Sequence, residues 1–182
     1  GPTKQAARIE SSKTFSEELM QKFGIPCASG AAFSNYQLAL DFVKHQRFPL
    51  WIKADGLAAG KGAIIAESLP SATETLSSLM EKKTLGASGE KVIIQENLSG
   101  REMSAFAVTD GKTVLPVAPA CDYKRVYDGD QGPNTGGMGS YSPPEFGSPA
   151  LENTVLEKIM KPAVMAMAKE SSPYQGFLYG GL

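Results

Sequence analysis

A glycine-rich segment flanked by two lysines is the strongest chemical signal in this sequence. Residues 53–62 read KADGLAAGKG, so Lys53 and Lys61 stand on either side of a run of small residues. Glycines allow backbone N–H groups to approach phosphate oxygens, and lysines add positive charge. The spacing differs from that of a Walker A loop, and Gly62 stands where that loop needs Ser or Thr. Alone, the segment fits either phosphate binding or a glycine-rich hairpin with solvated lysines.

Two later segments also carry groups suited to ligand binding. Residues 95–98, followed by Glu102, could place backbone groups at an adenine edge and a carboxylate at ribose hydroxyls, although this segment taken alone fits a solvated strand end better. Residues 122–139 alternate acidic, basic, amide and hydroxyl side chains with glycines. That mixture suits a zwitterionic or phosphorylated substrate, or an ordinary surface loop.

Composition excludes several other kinds of chemistry. His45 is the only histidine, which argues against histidine-rich metal sites and Ser/His/Asp catalysis. Cys27 and Cys121 form no CxxC pair and are typical of free thiols in a reducing compartment, so we expect a cytoplasmic protein. The formal net charge of −1 and the absence of a long apolar run indicate neither nucleic acid nor a membrane as a partner.

The first half of the chain predicts helices and strands that would hold the glycine-rich segment. Apolar spacing predicts a helix over 13–23, ended by Gly24, and a second helix capped by Ser34. Strands are predicted at 50–53 and 63–66, on either side of the glycine-rich segment. Ser68 and Pro70 begin a further helix, and a strand follows at 91–96.

The second half predicts an antiparallel hairpin followed by a long loop. Residues 103–109 and 113–117 flank an Asp110-Gly111 turn, whereas the many prolines and glycines of 119–147 predict a functional loop. A helix begins at Ser148-Pro149, with a kink expected at Pro162, and the last residues form a strand. The fold class is therefore α+β rather than a doubly wound parallel sheet.

Five motifs in order resemble the glycinamide ribonucleotide synthetase (phosphoribosylamine-glycine ligase) family of ATP-grasp enzymes. They are ESSK at 10–13, KADGLAAGKG at 53–62, the 95–102 segment, DYKR at 122–125 and GPNTGGMGSYSP at 132–143. The resemblance covers about residues 1–182. It implies an ATP-grasp fold with a body segment at 1–26, a small lid subdomain at 27–95, and body with a substrate loop at 96–182.

The implied activity is the ATP-dependent ligation of glycine to 5-phosphoribosylamine through glycyl phosphate, giving glycinamide ribonucleotide, ADP and phosphate in purine biosynthesis. The resemblance assigns catalytic roles to Lys53 and Arg125. It assigns ATP binding to Lys13, Lys53, Gly60, Lys61, Gly62, Gln95, Glu96, Asn97, Leu98, Glu102, Arg125 and Asn134. It assigns glycine and phosphoribosylamine binding to Asp122, Lys124, Thr135, Gly136 and Gly137.

The implied cofactors are ATP and Mg²⁺ or Mn²⁺, and the implied partners are the two small substrates. The family's metal ligands are expected beyond Leu182, so no metal ligand is predicted within 1–182. The first residue is not Met and the final strand ends abruptly, which indicates an excised segment that we expect to be inactive alone. A catalytically silent ATP-binding module and another ATP-grasp carboxylate-amine ligase are the alternatives.

Three positions depart from the family pattern. Gln95 stands where Glu is common, Tyr123 replaces a usual His, and Arg101 replaces a usual acid. The amide of Gln95 keeps an acceptor and adds donors while it removes a charge, so adenine binding is expected to survive.

Overall fold

The computed structural model describes residues 1–56, 62–129 and 131–182 and divides the chain into two compact units. The first unit comprises Gly1–Ala7, Leu19–Pro26 and Gly100–Leu182, and the second comprises Arg8–Glu18 and Cys27–Ser99. Helices and antiparallel sheets occur together, which confirms the α+β class. The lid and body boundaries given above stay a prediction.

The second unit is built on a four-stranded antiparallel sheet with the order β1-β4-β2-β3. The strands are β1 (Gly30–Phe33), β2 (Leu50–Ala54), β3 (Ala63–Ala66) and β4 (Val92–Glu96). Leu50, Ile52 and Ala54 alternate with two less buried residues along β2. This alternation directs one face of β2 into the core and leaves the other face for polar contacts.

Two helices of the second unit supply the rest of that core. They are α3 (Tyr36–Val43) and α4 (Leu69–Leu76), and π-helical residues Ser77–Glu81 follow α4. The core residues, all nearly inaccessible to solvent, are Ala39, Val43, Leu50, Ile52, Ala66, Ala72, Leu76, Leu79, Val92 and Ile94. The predicted strand–loop–strand arrangement at 50–66 is confirmed at both of its strands.

The caps of these two helices test the sequence rules directly. Ser68 caps α4 as predicted, because its side chain accepts a hydrogen bond from Ser71 N. The predicted cap of α3 was wrong by one residue. Asn35, not Ser34, has the extended backbone and accepts from Leu38 N at 3.0 Å. Asn and Ser are nearly equal as caps, so the sequence alone does not choose between adjacent candidates.

The first unit contains the second antiparallel sheet, with the order β7-β6-β5-β8. The strands are β5 (Ser104–Thr109), β6 (Val114–Tyr127), β7 (Gln131–Tyr141) and β8 (Gly176–Gly181). The predicted hairpin is confirmed as β5 and β6. Asp110 Oδ1 accepts from the backbone N–H groups of Lys112 and Thr113, and Gly111 adopts φ +96°. These features close the turn.

The long loop predicted at 119–147 was wrong over most of its length. Strand β6 continues to Tyr127, and β7 pairs with it antiparallel from Gln131 to Tyr141. Glycine and proline predict turns, but β7 is an edge strand, where a missing proline N–H costs no ladder bond. Register shifts near Arg125 and positive φ angles at Gly132 and Gly137 accommodate the irregular sequence.

The other helices begin and end largely as predicted. After α1 (Arg8–Ser11), α2 spans Lys13–Phe23 and is followed by Gly24 at φ +64°. Ser148 caps α5 (Pro149–Val155), and α6 (Lys161–Lys169) contains Pro162. π-helical residues Leu156–Met160 join these last two helices. The irregularity expected from Pro162 therefore takes the form of a widened turn directly before it.

Candidate functional site

The start of α2 is tied to the first residues after β2, two segments that stand about forty positions apart in the chain. Asp55 Oδ1 accepts hydrogen bonds from Ser12 Oγ at 3.1 Å and from Thr14 N at 2.7 Å. Ser12 Oγ in turn accepts from Phe15 N. Asp55 and Ser12 thereby satisfy N–H groups that the helix leaves unpaired in its first turn. These contacts bring ESSK and KADG together.

Lys13 extends from this junction to the backbone at the beginning of the glycine-rich segment. Its Nζ donates to the carbonyl oxygens of Ala54 at 3.0 Å and Gly56 at 3.2 Å. Of the glycine-rich residues assigned to ATP, Gly60 and Lys61 lie outside the described residues. Gly62 is buried, and its carbonyl oxygen accepts from Ala54 N at 2.7 Å.

Lys53 lies on the face of β2 that is turned away from the core of the second unit. Trp51 stands directly opposite Gln95 on β4, and Lys53 is two residues further along the same face. Lys53 Nζ donates to Gln95 Oε1 at 2.7 Å, and Gln95 Nε2 donates to Glu17 Oε2, also at 2.7 Å. The diagonal contact between Lys53 and Gln95 on neighbouring strands is therefore extended by a hydrogen bond to Glu17 on α2. Glu17 is only 3% exposed.

Burial perturbs both ends of this chain of hydrogen bonds. Burial lowers the pKa of Lys53, the charge of Glu17 raises it, and the charge of Lys13 lowers it again. Burial raises the pKa of Glu17, the Gln95 hydrogen bond and the Lys53 charge oppose this change, and the charge of Glu18 adds the smallest effect, which raises it. Two lysines that repel one another are therefore held in one partly desolvated region, an arrangement that favours an anionic ligand.

In the rest of the 95–98 segment, two side chains form hydrogen bonds within the second unit and one is exposed. Glu96 Oε1 accepts from Ser29 N at 2.7 Å. Hydrogen bonds from the side chain and from the backbone of Ser29 lower the pKa of Glu96. Asn97 Oδ1 accepts from Trp51 Nε1 at 2.9 Å. Leu98 is 65% exposed. The Asn97 side chain thus fixes the indole of Trp51 beside Lys53, whose Nζ lies 5.9 Å from the ring centroid.

A second group of predicted residues belongs to the first unit. Lys124 is hydrogen-bonded to Glu102 Oε2, and its Nζ lies 3.9 Å from Asp122 Oδ2. Burial lowers the pKa of Lys124, but the hydrogen bond and charge of Glu102, with the charge of Asp122, outweigh burial and leave this pKa raised. Glu102, assigned to ribose, thus pairs with a residue assigned to the other substrates.

The β6–β7 ribbon carries the other assigned residues of the first unit. Arg125 donates to the Gly132 carbonyl oxygen at 2.7 Å. Thr135 Oγ1 donates to the Lys124 carbonyl oxygen at 3.0 Å and accepts from Gly137 N at 3.1 Å. Gly136 lies between Thr135 and Gly137 in β7. Asn134 stands opposite Arg125 in the backbone pairing of β7 with β6. Thr135 therefore holds the ribbon together locally.

Metal ligands do not gather among the described residues. No group of three or more His, Cys, Asp and Glu side chains suited to a metal ion occurs in residues 1–56, 62–129 and 131–182. The expectation that the metal ligands lie beyond Leu182 stays a prediction. Within the same ranges, no helix has the length and apolar character needed to cross a membrane.

Three residues that hold Lys13 and Lys53 in the second unit were not identified by the sequence analysis. Glu17 carried no signal, because a glutamate in an amphipathic helix is normally solvated. Asp55 stood inside the KADG motif, and its position directly after a strand could have suggested a cap for a distant helix. Trp51 and Lys53 are two residues apart in β2, and side chains at that spacing lie on the same face of a strand. The sequence therefore already indicated that these two residues are neighbours.

Comparison with known proteins gives a consistent result over the whole chain. The model of the family described as phosphoribosylglycinamide synthetase, ATP-grasp (A) domain, matches residues 11–182. A phosphoribosylamine-glycine ligase of Vibrio vulnificus is 45% identical over all 182 residues, which span 42% of that protein. The human trifunctional purine biosynthetic protein adenosine-3 is 46% identical, with 100% of this chain and 18% of that protein covered.

Solved structures agree with the sequence relatives. The phosphoribosylamine-glycine ligase of Thermotoga maritima superposes with a TM-score of 0.92 at 38% identity, covering 100% of this chain and 46% of that one. Biotin carboxylase from Campylobacter jejuni superposes with a TM-score of 0.75 at 17% identity, covering 100% of this chain and 39% of that one, which supports the ATP-grasp fold. The chain spans less than half the length of the two ligases. Because the family model covers nearly all of it, the chain belongs to the phosphoribosylglycinamide synthetase ATP-grasp (A) domain family.

Proposed function

We propose that the whole protein joins glycine to 5-phosphoribosylamine at the expense of ATP. Membership in the ATP-grasp family and identity of about 45% to phosphoribosylamine-glycine ligases support this proposal. The single structural observation that carries it is the pair Lys13 and Lys53, fixed by hydrogen bonds at the start of the glycine-rich segment.

The proposed reaction has two transfers that need charge neutralisation more than proton transfer. A glycine carboxylate oxygen attacks the γ-phosphorus of ATP, and the bond to the ADP oxygen breaks. The phosphoribosylamine nitrogen then attacks the acyl carbon, loses a proton, and inorganic phosphate leaves. Positioning and electrostatic stabilisation dominate such phosphoryl transfers. A chain with one exposed histidine, His45, is compatible with that requirement.

In the second unit, the proposed role of Lys13 and Lys53 is to neutralise the phosphate oxygens of ATP. Lys53 is partly buried, so its charge is less screened by water than a surface charge. Among the residues that the structure describes, the Lys53 ammonium donates to Gln95 alone, which leaves ammonium protons for a ligand. Residues 95–98 would meet adenine through the backbone, since the side chains of Glu96 and Asn97 are engaged.

In the first unit, the proposed role of Asp122 and Lys124 is to bind the substrates. A carboxylate and an ammonium about 4 Å apart complement the two charges of glycine. Glu102 is proposed to accept from the ribose of ATP, which requires it to share or exchange its hydrogen bond with Lys124. Arg125 is proposed as the cation for the transferred phosphoryl group once its bond to the Gly132 carbonyl oxygen is released.

The test measures ADP release by the whole protein with ATP, Mg²⁺, glycine and freshly generated phosphoribosylamine, each omitted in turn. We expect release to require both glycine and the amine. ATP binding without release under any condition would instead support a silent ATP-binding module. Release that requires a different carboxylate or amine would support another ATP-grasp ligase, and either result would overturn the proposal.

A further inference from the structure

One side-chain amide joins a buried carboxylate to the ammonium group of the candidate ATP-binding lysine. Gln95 accepts from Lys53 through Oε1 and donates to Glu17 through Nε2, each over 2.7 Å. The chemistry of the two neighbours determines this amide orientation. The ammonium can only donate and the ionised carboxylate can only accept, so a flipped amide would lose both hydrogen bonds.

We propose that Glu17 is a positioning residue, which orients Gln95 and through it holds the Lys53 ammonium in place for ATP. This inference rests on the proposed function. It also gives the amide at position 95 a specific role, because an amide can accept from Lys53 and donate to Glu17 at the same time. A glutamate there would bring a second carboxylate within hydrogen-bond distance of Glu17, and one of the two would have to take up a proton.

The burial of Glu17 gives this arrangement its strength. Glu17 is 3% exposed. The side chain of Glu18, the next residue on α2, is 64% exposed, and its Oε1 lies 3.6 Å from Lys91 Nζ. A charge withdrawn from water interacts strongly with the few charges around it. For Lys53, those charges are Glu17, which stabilises the ammonium form, and Lys13, which destabilises it.

The first test uses Glu17→Gln, Gln95→Glu and the double variant in the whole protein, with Glu18→Gln as the matched control. We expect Glu17→Gln to raise the KM for ATP about tenfold, and Gln95→Glu to have a larger effect because two carboxylates then meet. In the double variant a single carboxylate again faces Lys53, so most of the loss caused by Gln95→Glu should be recovered. Glu18→Gln should leave the KM unchanged.

Independent, multiplicative effects in the double variant would overturn the proposal, because uncoupled residues add in free energy. Circular dichroism before each assay distinguishes lost folding from lost coupling. A merely structural role for Glu17 would also lower activity evenly across pH. The proposal instead requires the alkaline limb of the kcat/KM profile for ATP to move to lower pH in Glu17→Gln.

A second test does not need ligase activity. Trace acetylation of Lys53 by acetic anhydride, measured by mass spectrometry from pH 7 to 11, reports the pKa of this lysine. We expect this pKa to fall in Glu17→Gln and to stay constant in Glu18→Gln. An unchanged Lys53 pKa in Glu17→Gln overturns the positioning role. If the labelling shift occurs but the wild-type protein releases no ADP, only the proposed function fails.

Discussion

Two lysines of this protein are each held by an acid, but in opposite physical regimes. In the second unit, Lys53 contacts Glu17 through Gln95 on a partly buried sheet face, and burial lowers the Lys53 pKa. In the first unit, Lys124 bonds directly to Glu102 on the β6–β7 ribbon, and that pairing outweighs burial and raises the Lys124 pKa. The difference shows that the balance between burial and a directly bonded acid decides the direction in which a lysine pKa moves.

The same contrast extends to the strands beneath the two lysines. Strand β2 lies between two neighbours in its sheet and buries every second residue in an apolar core. Along the ribbon that it forms with β7, from Cys121 to Tyr127, strand β6 has only half-buried and exposed residues. A charged side chain on β2 is therefore held in place by its packed neighbours. A charged side chain on the β6 ribbon is open to water, so it can change partners when a substrate binds or leaves.

The largest effect is expected when the same substitution is made in the two strands. Leu50 on β2 is 2% exposed and Leu115 on β6 is 61% exposed. Leu50→Ala should lower the free energy of unfolding by about 3 kcal/mol, because it removes core contacts and leaves a cavity. Leu115→Ala should change it by less than about 0.5 kcal/mol. Urea denaturation followed by circular dichroism measures both, and equal losses would contradict the contrast.

The next largest effect concerns the candidate ATP-binding lysine. Lys53→Ala should lower kcat/KM for ATP by about 100-fold, because the phosphates lose a partly desolvated cation. Lys82→Ala, an exposed lysine of the same unit, is the control and should leave the value unchanged. Steady-state ADP release by the whole protein provides the measurement. Similar kinetics for the two variants would remove Lys53 from the ATP site.

A smaller effect is expected in the pH dependence of stability at Glu17. Burial raises the folded-state pKa of Glu17, so the folded state binds more protons than the unfolded state between the two pKa values. The contribution of Glu17 to the free energy of unfolding should therefore be fully present below 4.5, its ordinary value, and should be lost as pH rises through the raised pKa. Glu17→Gln should remove this slope and Glu18→Gln should keep it in urea titrations at several pH values.

The smallest effect is expected at the exposed ion pair of the first unit. The side chains of Lys124 and Glu102 are 38% and 69% exposed, so their pairing should contribute less than about 1 kcal/mol to stability. A double-mutant cycle with Lys124→Met and Glu102→Gln, measured at low and high salt, tests this. A coupling energy that salt does not weaken would place this pair in the same regime as the chain at Lys53.

Local elements were predictable because their signals are local. Apolar spacing located α2, Ser68 identified the start of α4, and the Asp110-Gly111 turn identified the β5–β6 hairpin. The β6–β7 ribbon was not predictable, since glycine and proline normally signal turns. Its strands form because each supplies the hydrogen-bond partners of the other, a contact that no local pattern encodes.

The sequence by itself determined the family, the α+β class and the lysines that could meet phosphate. Those inferences depend on motif order and residue chemistry, which are written along the chain. Only the tertiary structure decided that Glu17, far from Lys53 and Gln95 in sequence, completes their chain of hydrogen bonds. Burial and partner choice arise when distant segments pack, so the same glutamate is solvated or decisive according to the contacts that the fold gives it.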